Sequence, residues 1–348
     1  TMPPRVLEMK SELLEKIEKI RNFGSGNIVN RVFPGKKEGE AIAQTGIITS
    51  GVSYLYVAEA LDELGVSISV LKVDLFYPLA EEKVRKFIKG LKTVLVVEEL
   101  EPYLEREIER LAKEENCKLK IFGKNLLPEI GEIKPEQVIA AIASIAGKKY
   151  SSSKTQLLKE VATRFPSFCS GCYYRLIFQV IKKVAPEGTV FGGDIGCYMI
   201  ASLPPFELAD YLSAMGSSIG IGHGILKAGN KRLISFIGDS TFFHSGIPSL
   251  INAVYNKSNP LIVILDNQTT AMTGHQTNPG VGKTGMGEEV QGISIEGIVR
   301  ACGVKNVKVI DPINAQEMEE TVKEFIAKDE VSVIIARRTC WLLSRSKK

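Results

Sequence analysis

The sequence predicts an α/β protein made of two doubly wound, mostly parallel-sheet domains. Three observations carry that expectation. Short apolar runs alternate with helical stretches from Gly46 onward; the alternation stops at a polar segment after Ala146 and then resumes; and 348 residues are enough for two separately cored domains.

The chain opens with RVLEMKSELLEKIEKIR (5–21), where Val6, Leu7, Leu13, Leu14, Ile17 and Ile20 recur at helical spacing between charges. This is an amphipathic helix that needs a partner surface, and a Gly- and Lys-rich linker follows to residue 44. The first domain is expected over 45–146. Its strands are GIITSG (46–51), ISVLKVDLF (68–76), TVLVVEE (93–99) and KLKIFG (118–123). Its helices are SYLYVAEALDELG (53–65), AEEKVRKFIKGL (80–91), EPYLEREIERLAKEE (101–115) and PEQVIAAIASI (135–145). Within it Glu98, Glu99 and Glu101 read as a solvated strand end and helix start.

A polar linker is expected over 147–164 and the second domain over 165–348. Its strands are TVFGGD (189–194), LISFIGD (233–239), LIVILDN (261–267), VKVID (307–311) and VSVIIA (331–336), with helices near 208–228, 243–256, 294–302 and 314–328. Strands this uniformly apolar are covered on both faces. The segment 268–292 holds Gly274, Gly280, Gly282, Gly285, Gly287 and Gly292 without apolar periodicity. A structureless stretch of that length reads as a functional lid.

Composition excludes several classes. Hydrophobic content of 44%, charged content of 24% and a net charge of +4 are ordinary for globular protein, and no block of like charges marks a nucleic-acid surface. No apolar run reaches the ~20 residues of a membrane span, and no signal-peptide pattern opens the chain. The cytoplasm is the expected compartment, where six cysteines read as thiols or metal ligands.

Ligands of open α/β sheets bind beyond the carboxyl ends of the strands. Two such ends carry matched groups, Gly238-Asp239-Ser240-Thr241 and, almost thirty positions on, Asn267-Gln268-Thr269. Gly238 permits close backbone approach. Asp239, the Asn267 amide oxygen and the Thr269 carbonyl supply the hard oxygens that magnesium prefers, and Ser240 and Thr241 open a helix whose N-terminus suits a phosphate. Either strand end alone would be an ordinary turn; the pair points to a metal-bridged diphosphate. Cys169 and Cys172 form a CxxC, Cys197 follows a strand, and Cys340 follows the last strand. Zinc is the commoner owner of a CxxC, an iron–sulfur cluster the alternative. Cys117 and Cys302 lack partners in the pattern and read as buried thiols. His275, in MTGHQ (272–276), lies at the mouth of the site and is a candidate for touching substrate or cofactor. His223 and His244 read as packing or capping residues.

The Gly-Asp…Asn pair resembles the thiamine diphosphate motif, with Ser240 where a second Gly is usual. The stretch IGDSTFFHSGIPSLINAVYNKSNPLIVILDNQTTAMTGHQ (237–276), with GGDIGCY (192–198) and ARRTC (336–340), resembles the alpha subunit of the indolepyruvate:ferredoxin oxidoreductases. The family's Cys-Pro-Gly-Cys-Pro-His-Arg stands here as CSGCYYR (169–175), with Ser170, Tyr173 and Tyr174 at the departures.

The resemblance implies a transketolase C-terminal-like first domain and a second domain that binds thiamine diphosphate. Gly238, Asp239, Ser240, Thr241, Asn267 and Thr269 would hold that cofactor, with Mg2+ on Asp239, Asn267 and Thr269. A 4Fe-4S cluster would sit on Cys169, Cys172, Cys197 and Cys340. The implied activity is oxidative decarboxylation of an aryl 2-oxoacid to an aryl-acetyl-CoA, with electrons passed to ferredoxin. The implied partners are CoA, ferredoxin, a beta-type subunit and a pyrimidine-binding domain or chain, in a hetero-oligomer. The family's N-terminal pyrimidine-binding domain and C-terminal ferredoxin-like module are expected to lie outside these 348 residues. Two rivals are a non-redox thiamine diphosphate-dependent decarboxylase or synthase, and a non-catalytic scaffold chain.

Overall fold

A computed structural model describes residues 2–26, 29–35, 44–151, 164–229 and 231–346. It forms two compact units, Thr1–Val161 and Ala162–Lys348. Most of the two expected linkers, at 36–43 and 152–163, lies outside the described residues.

In the first unit, β1 (Arg31–Phe33), β2 (Thr45–Ser50), β3 (Ser69–Val73), β4 (Thr93–Val97) and β5 (Lys120–Phe122) form a sheet of order β1-β3-β2-β4-β5. All neighbours are parallel except β1, which pairs antiparallel with β3 through Val32 and Leu71. This edge strand falls inside the expected linker; three residues are too few to show a period. Alternation along the inner strands sends successive side chains to opposite faces. Ile47, Val70, Leu95 and Val97 pack with residues of helices Ser53–Glu63 and Pro135–Ala146. Ile48, Leu71, Val94 and Val96 pack with residues of helices Glu81–Ile88 and Tyr103–Glu115.

Glu98 departs from the expected solvated strand end. It is buried, and its two carboxylate oxygens accept the backbone N–H groups of Leu104 (2.7 Å) and Glu105 (2.8 Å). It therefore satisfies two otherwise unpaired donors at the start of helix Tyr103–Glu115 from outside that helix.

The second unit has β6 (Val190–Gly192), β7 (Leu233–Gly238), β8 (Leu261–Asp266), β9 (Asn306–Ile310) and β10 (Ser332–Arg337), all parallel, in the order β6-β7-β8-β10-β9. Every residue of β7 and β8 is buried. Helices Tyr174–Val184 and Ala315–Ile326 supply the core on one face with Ile177, Phe178, Met318 and Val322. Helices Ser217–Ala228, Ile247–Tyr255 and Ile295–Ala301 supply the other with Ile219, Leu250 and Val299.

The helix expected over 208–228 begins only at Ser217. Gly216 ahead of it has φ +83°, and Asp194 accepts the backbone N–H groups of Gly216 (2.9 Å) and Ser218 (3.1 Å). Tyr211 instead makes an isolated bridge to Gly192. Helix Tyr174–Val184 was not expected. Its start is the end of the CSGCYYR motif, where the cysteines drew the reading away from the apolar spacing of Ile177, Phe178 and Ile181.

Candidate functional site

The carboxyl ends of β6, β7, β8 and β10 converge on two adjoining pockets. Asp239 follows β7 directly and starts a short helical turn, Asp239–Thr241. The helix widens into a π turn over Phe242–Gly246 before Ile247–Tyr255. Pro248, lacking an N–H, cannot donate to the carbonyl of His244, and the wider turn absorbs that loss. At Gly238 a Cβ would stand 2.9 Å from the Tyr198 ring, so the residue before Asp239 must be glycine for the ring to lie where it does.

Asp239 is 3% exposed. One carboxylate oxygen accepts the Ser240 N–H (2.8 Å) and the other the side-chain amide of Asn278 (3.0 Å). Burial pushes its carboxyl up to about 7, and the neighbouring Asp266 carboxylate adds to the shift. Asp266 is itself paired with Arg337 (2.6 Å). No cationic side chain is paired with Asp239 among the described residues, so the charge it carries above neutral pH meets only neutral donors. Asn267 is buried, and its side-chain oxygen accepts the Thr269 N–H (3.1 Å). The Thr270 hydroxyl donates to Ser240 Oγ (2.9 Å). Gly238, Asp239, Ser240, Thr241, Asn267 and Thr269 line one cavity of about 100 Å³, closed on other sides by Tyr198, Met215 and Met272.

This donor set fits a magnesium-bridged diphosphate. A buried carboxylate, an amide carbonyl and hard backbone oxygens are what magnesium takes from protein, leaving its other positions to phosphate oxygens and water. The raised carboxyl of Asp239 is what a buried acid shows when no cation shares its site.

The four cysteines of the sequence pattern lie together. Cys169, Cys172, Cys197 and Cys340 line a second, mainly apolar cavity of about 150 Å³ with Tyr173, His275 and Trp341. Cys169 is exposed and the other three are half-buried. The Cys172 thiol is pushed up to about 11, first by burial and then by the thiols of Cys169, Cys197 and Cys340. Burial raises Cys197 as well, with Cys340 and Cys169 adding to it.

Local structure explains the gathering. The Cys172 N–H closes a turn on the Cys169 carbonyl (3.1 Å), and Gly171 within it has φ +82°. A Cβ at Gly171 would stand 2.8 Å from the Trp341 indole, so the turn seats directly against the residue after Cys340. The Cys340 N–H donates to the Asn267 carbonyl (3.0 Å). Tyr174, Cys197, Asn267 and Ala271 belong to the walls of both cavities.

Among the described residues, no group of three or more His, Cys, Asp or Glu side chains is disposed to hold a metal ion. A closed zinc site would need thiolate sulfurs at about 2.3 Å from one centre. Four thiols around a cavity suit a larger body, such as a cluster of four irons and four sulfides.

His275 lies on the cysteine cavity at φ +63°, with Nδ1 buried and without a hydrogen-bond partner. Its backbone N–H donates to the Thr270 carbonyl, and the Thr270 N–H to the Gln276 carbonyl, both at 3.0 Å. This closes the beginning of segment 268–292 over the site. His223 contacts Ser258 (3.1 Å) and His244 is exposed; neither lines the two cavities. Cys117 is exposed rather than buried, because it sits in the turn after helix Tyr103–Glu115. Sequence reasoning missed Asn278, for which Asn-Pro-Gly signalled only a turn. It also missed Asp194 as a helix cap.

The comparisons with known proteins agree with this geometry. Residues 194–336 match the family described as "Thiamine pyrophosphate enzyme, C-terminal TPP binding domain", and residues 35–161 the "Indolepyruvate oxidoreductase domain". The indolepyruvate oxidoreductase subunit IorA of Methanothermobacter thermautotrophicus is 41% identical over 99% of this chain and 56% of its own length. The chain belongs to the IorA family of indolepyruvate oxidoreductase subunits. The IorA subunit of Pyrococcus horikoshii is 39% identical over 95% of the chain and 53% of its own length. The chain thus spans a little over half the length of the curated IorA relatives it matches. A solved 2-oxoglutarate:ferredoxin oxidoreductase from Magnetococcus marinus aligns with 51% of this chain and 66% of its own at 15% identity, with a TM-score of 0.45. No helix among the described residues is long and apolar enough to cross a membrane.

Proposed function

We propose that this chain is the cofactor-binding part of a 2-oxoacid oxidoreductase that decarboxylates aryl 2-oxoacids of the indolepyruvate kind. In this reading it forms aryl-acetyl-CoA and passes electrons to ferredoxin. It works in the cytoplasm within a hetero-oligomer that includes a beta-type subunit and a pyrimidine-binding domain or chain. The observation that carries the reading is the shared wall: four thiols surround one cavity, the Asp239 and Asn267 pair lines the next, and Cys197 and Asn267 belong to both.

Asp239, Asn267 and the Thr269 carbonyl would hold Mg2+. Gly238, Ser240 and Thr241 would cradle the diphosphate at the start of the helical turn. Cys169, Cys172, Cys197 and Cys340 would hold a 4Fe-4S cluster. When bound, thiamine diphosphate supplies the nucleophilic carbon for decarboxylation, and the cluster supplies a one-electron acceptor beside it. The protein's own part is to bind, orient and shield. The buried Asp239 carboxylate anchors the cation; Tyr198, Met215 and Met272 exclude water from the diphosphate; His275 offers its free Nδ1 on the cavity wall, where it can hold a proton or a polar group of the substrate.

The test joins two measurements on the anaerobically purified chain. It should be brown, carry about four irons and four sulfides as a Cys-ligated cluster requires, and lose both in Cys172→Ser. Calorimetry with magnesium should detect thiamine diphosphate binding that Asp239→Ala abolishes and Asn267→Ala weakens less, since a carboxylate gives more Coulomb energy than an amide. Unchanged binding in Asp239→Ala would overturn the diphosphate assignment. Diphosphate binding by iron-free protein, even when purified anaerobically, would favour a non-redox decarboxylase.

A further inference from the structure

We propose that Tyr173 sets the reduction potential of the cluster held by Cys169, Cys172, Cys197 and Cys340, by donating a hydrogen bond from its hydroxyl to one of the cluster's sulfurs. The inference rests on the assignment of the four cysteines given above.

Tyr173 is 6% exposed, and its hydroxyl oxygen is buried without a hydrogen-bond partner. Buried hydroxyls nearly always find an acceptor, so one that has none marks the place of a missing partner. The neighbouring core tyrosines have found theirs. Tyr174 donates to the Leu265 carbonyl (3.4 Å), Tyr198 to that of Ile195 (2.9 Å) and Tyr211 to that of Ser218 (2.6 Å). Tyr173 alone of these is left over.

Position narrows what the partner can be. The Tyr173 ring lines the cysteine cavity, and after burial the groups acting most strongly on its phenol are Cys172 and Cys340. The ring also borders a polar hollow with Arg337 and Arg338, but its oxygen is not open to solvent there. The two arginines are occupied by Asp266 and Asp311. Burial pushes the phenol far above its ordinary range, so it keeps its proton and acts as a donor throughout the working range. The chain also carries this donor where the family's motif has a proline, which offers none. A hydrogen bond to a cluster sulfur draws off electron density, stabilises the more negative reduced state most, and raises the potential.

Tyr173→Phe keeps the ring and its packing and removes only the donor. In the reconstituted chain, iron and sulfide content should match the wild type. The midpoint potential, followed by EPR-monitored titration, should become more negative by up to about tenfold in the reduction equilibrium, or about 59 mV for one electron. 3-Fluorotyrosine placed at position 173, a stronger donor of nearly the same shape, should move it the other way. In resonance Raman spectra the iron–sulfur stretches of the wild type should shift in D2O, and part of that shift should vanish in Tyr173→Phe. A wild-type chain that binds no iron would defeat the cysteine assignment itself. Full clusters with the same potential in wild type, Tyr173→Phe and the fluorotyrosine protein would overturn the role of Tyr173 alone. If Tyr173→Phe takes up no iron, the fluorotyrosine protein decides: an unmoved potential there overturns the proposal.

Discussion

Asp239 holds a proton more tightly in the folded chain than in the unfolded one. Its carboxyl stands at about 7 against the model value of 3.8, raised first by burial and then by Asp266. Because the folded state binds the proton more strongly, the metal-free protein loses stability as pH rises from about 4 to about 7, and the loss is complete above that window. A substitution that removes the charge but keeps the acceptor should remove this slope. Metal-free Asp239→Asn should therefore match the wild type in thermal unfolding at pH 4 and exceed it at pH 8, by up to a few kcal/mol at ~1.4 kcal/mol per pKa unit. Saturating magnesium and thiamine diphosphate should reverse the order at pH 8, because only the carboxylate binds the cation well. Equal unfolding temperatures at pH 8 without metal would show that Asp239 carries no buried charge. At this scale the sequence was most legible where chemistry dictates a residue type. Asp239, Asn267 and the four cysteines announced themselves by kind and spacing. Asn278 and Tyr173 did not, because an amide in a glycine-rich stretch and a tyrosine beside a cysteine acquire meaning only from what they face.

Elements were legible where burial is complete. The strands β2, β4, β7, β8 and β10 could be read as apolar runs because both faces of each are covered, and their bounds in the structure lie within about two residues of the reading. The errors fall at helix starts, where one residue acting from a distance decides. Asp194 sets the beginning of helix Ser217–Ala228 from the end of β6, and Glu98 sets that of helix Tyr103–Glu115 from the end of β4. Neither cap is the helix's own N-cap residue, so no local pattern reveals it. Glu98→Ala should leave the backbone N–H groups of Leu104 and Glu105 unpaired in a buried setting and lower stability by about 1–3 kcal/mol. Denaturant unfolding should register this as a lower midpoint at unchanged slope. Glu98→Gln, which keeps one acceptor oxygen, should recover part of the loss. An unmoved midpoint in Glu98→Ala would mean that water takes the place of the carboxylate. The opening helix shows the reverse case: the amphipathic pattern was legible, yet Leu7, Leu13 and Leu14 are exposed in the structure, because one chain's sequence announces an apolar face without saying what covers it.

At the scale of the whole molecule, two sheet units each close their own core, and every residue proposed to touch a cofactor belongs to the second. The alternation of apolar runs foretold two sheets; the strand order did not follow from it, since β9 and β10 lie in the sheet against their order in the chain. That exchange puts β10 beside β8, and so delivers Cys340 to the Asn267 carbonyl and Arg337 to Asp266. The two cavities therefore share Cys197 and Asn267 as common property. Whatever filling one does to these residues is felt in the other, and thermodynamic linkage makes the influence equal in both directions. If the cluster improves the grip on thiamine diphosphate by some factor, the diphosphate must improve the retention of the cluster by the same factor. Protein stripped of iron should bind the diphosphate more weakly in calorimetry than replete protein does. Thiamine diphosphate and magnesium added before exposure to air should slow the loss of brown colour. A diphosphate affinity that ignores the iron content would mean that the shared wall is rigid enough to keep the two occupants strangers.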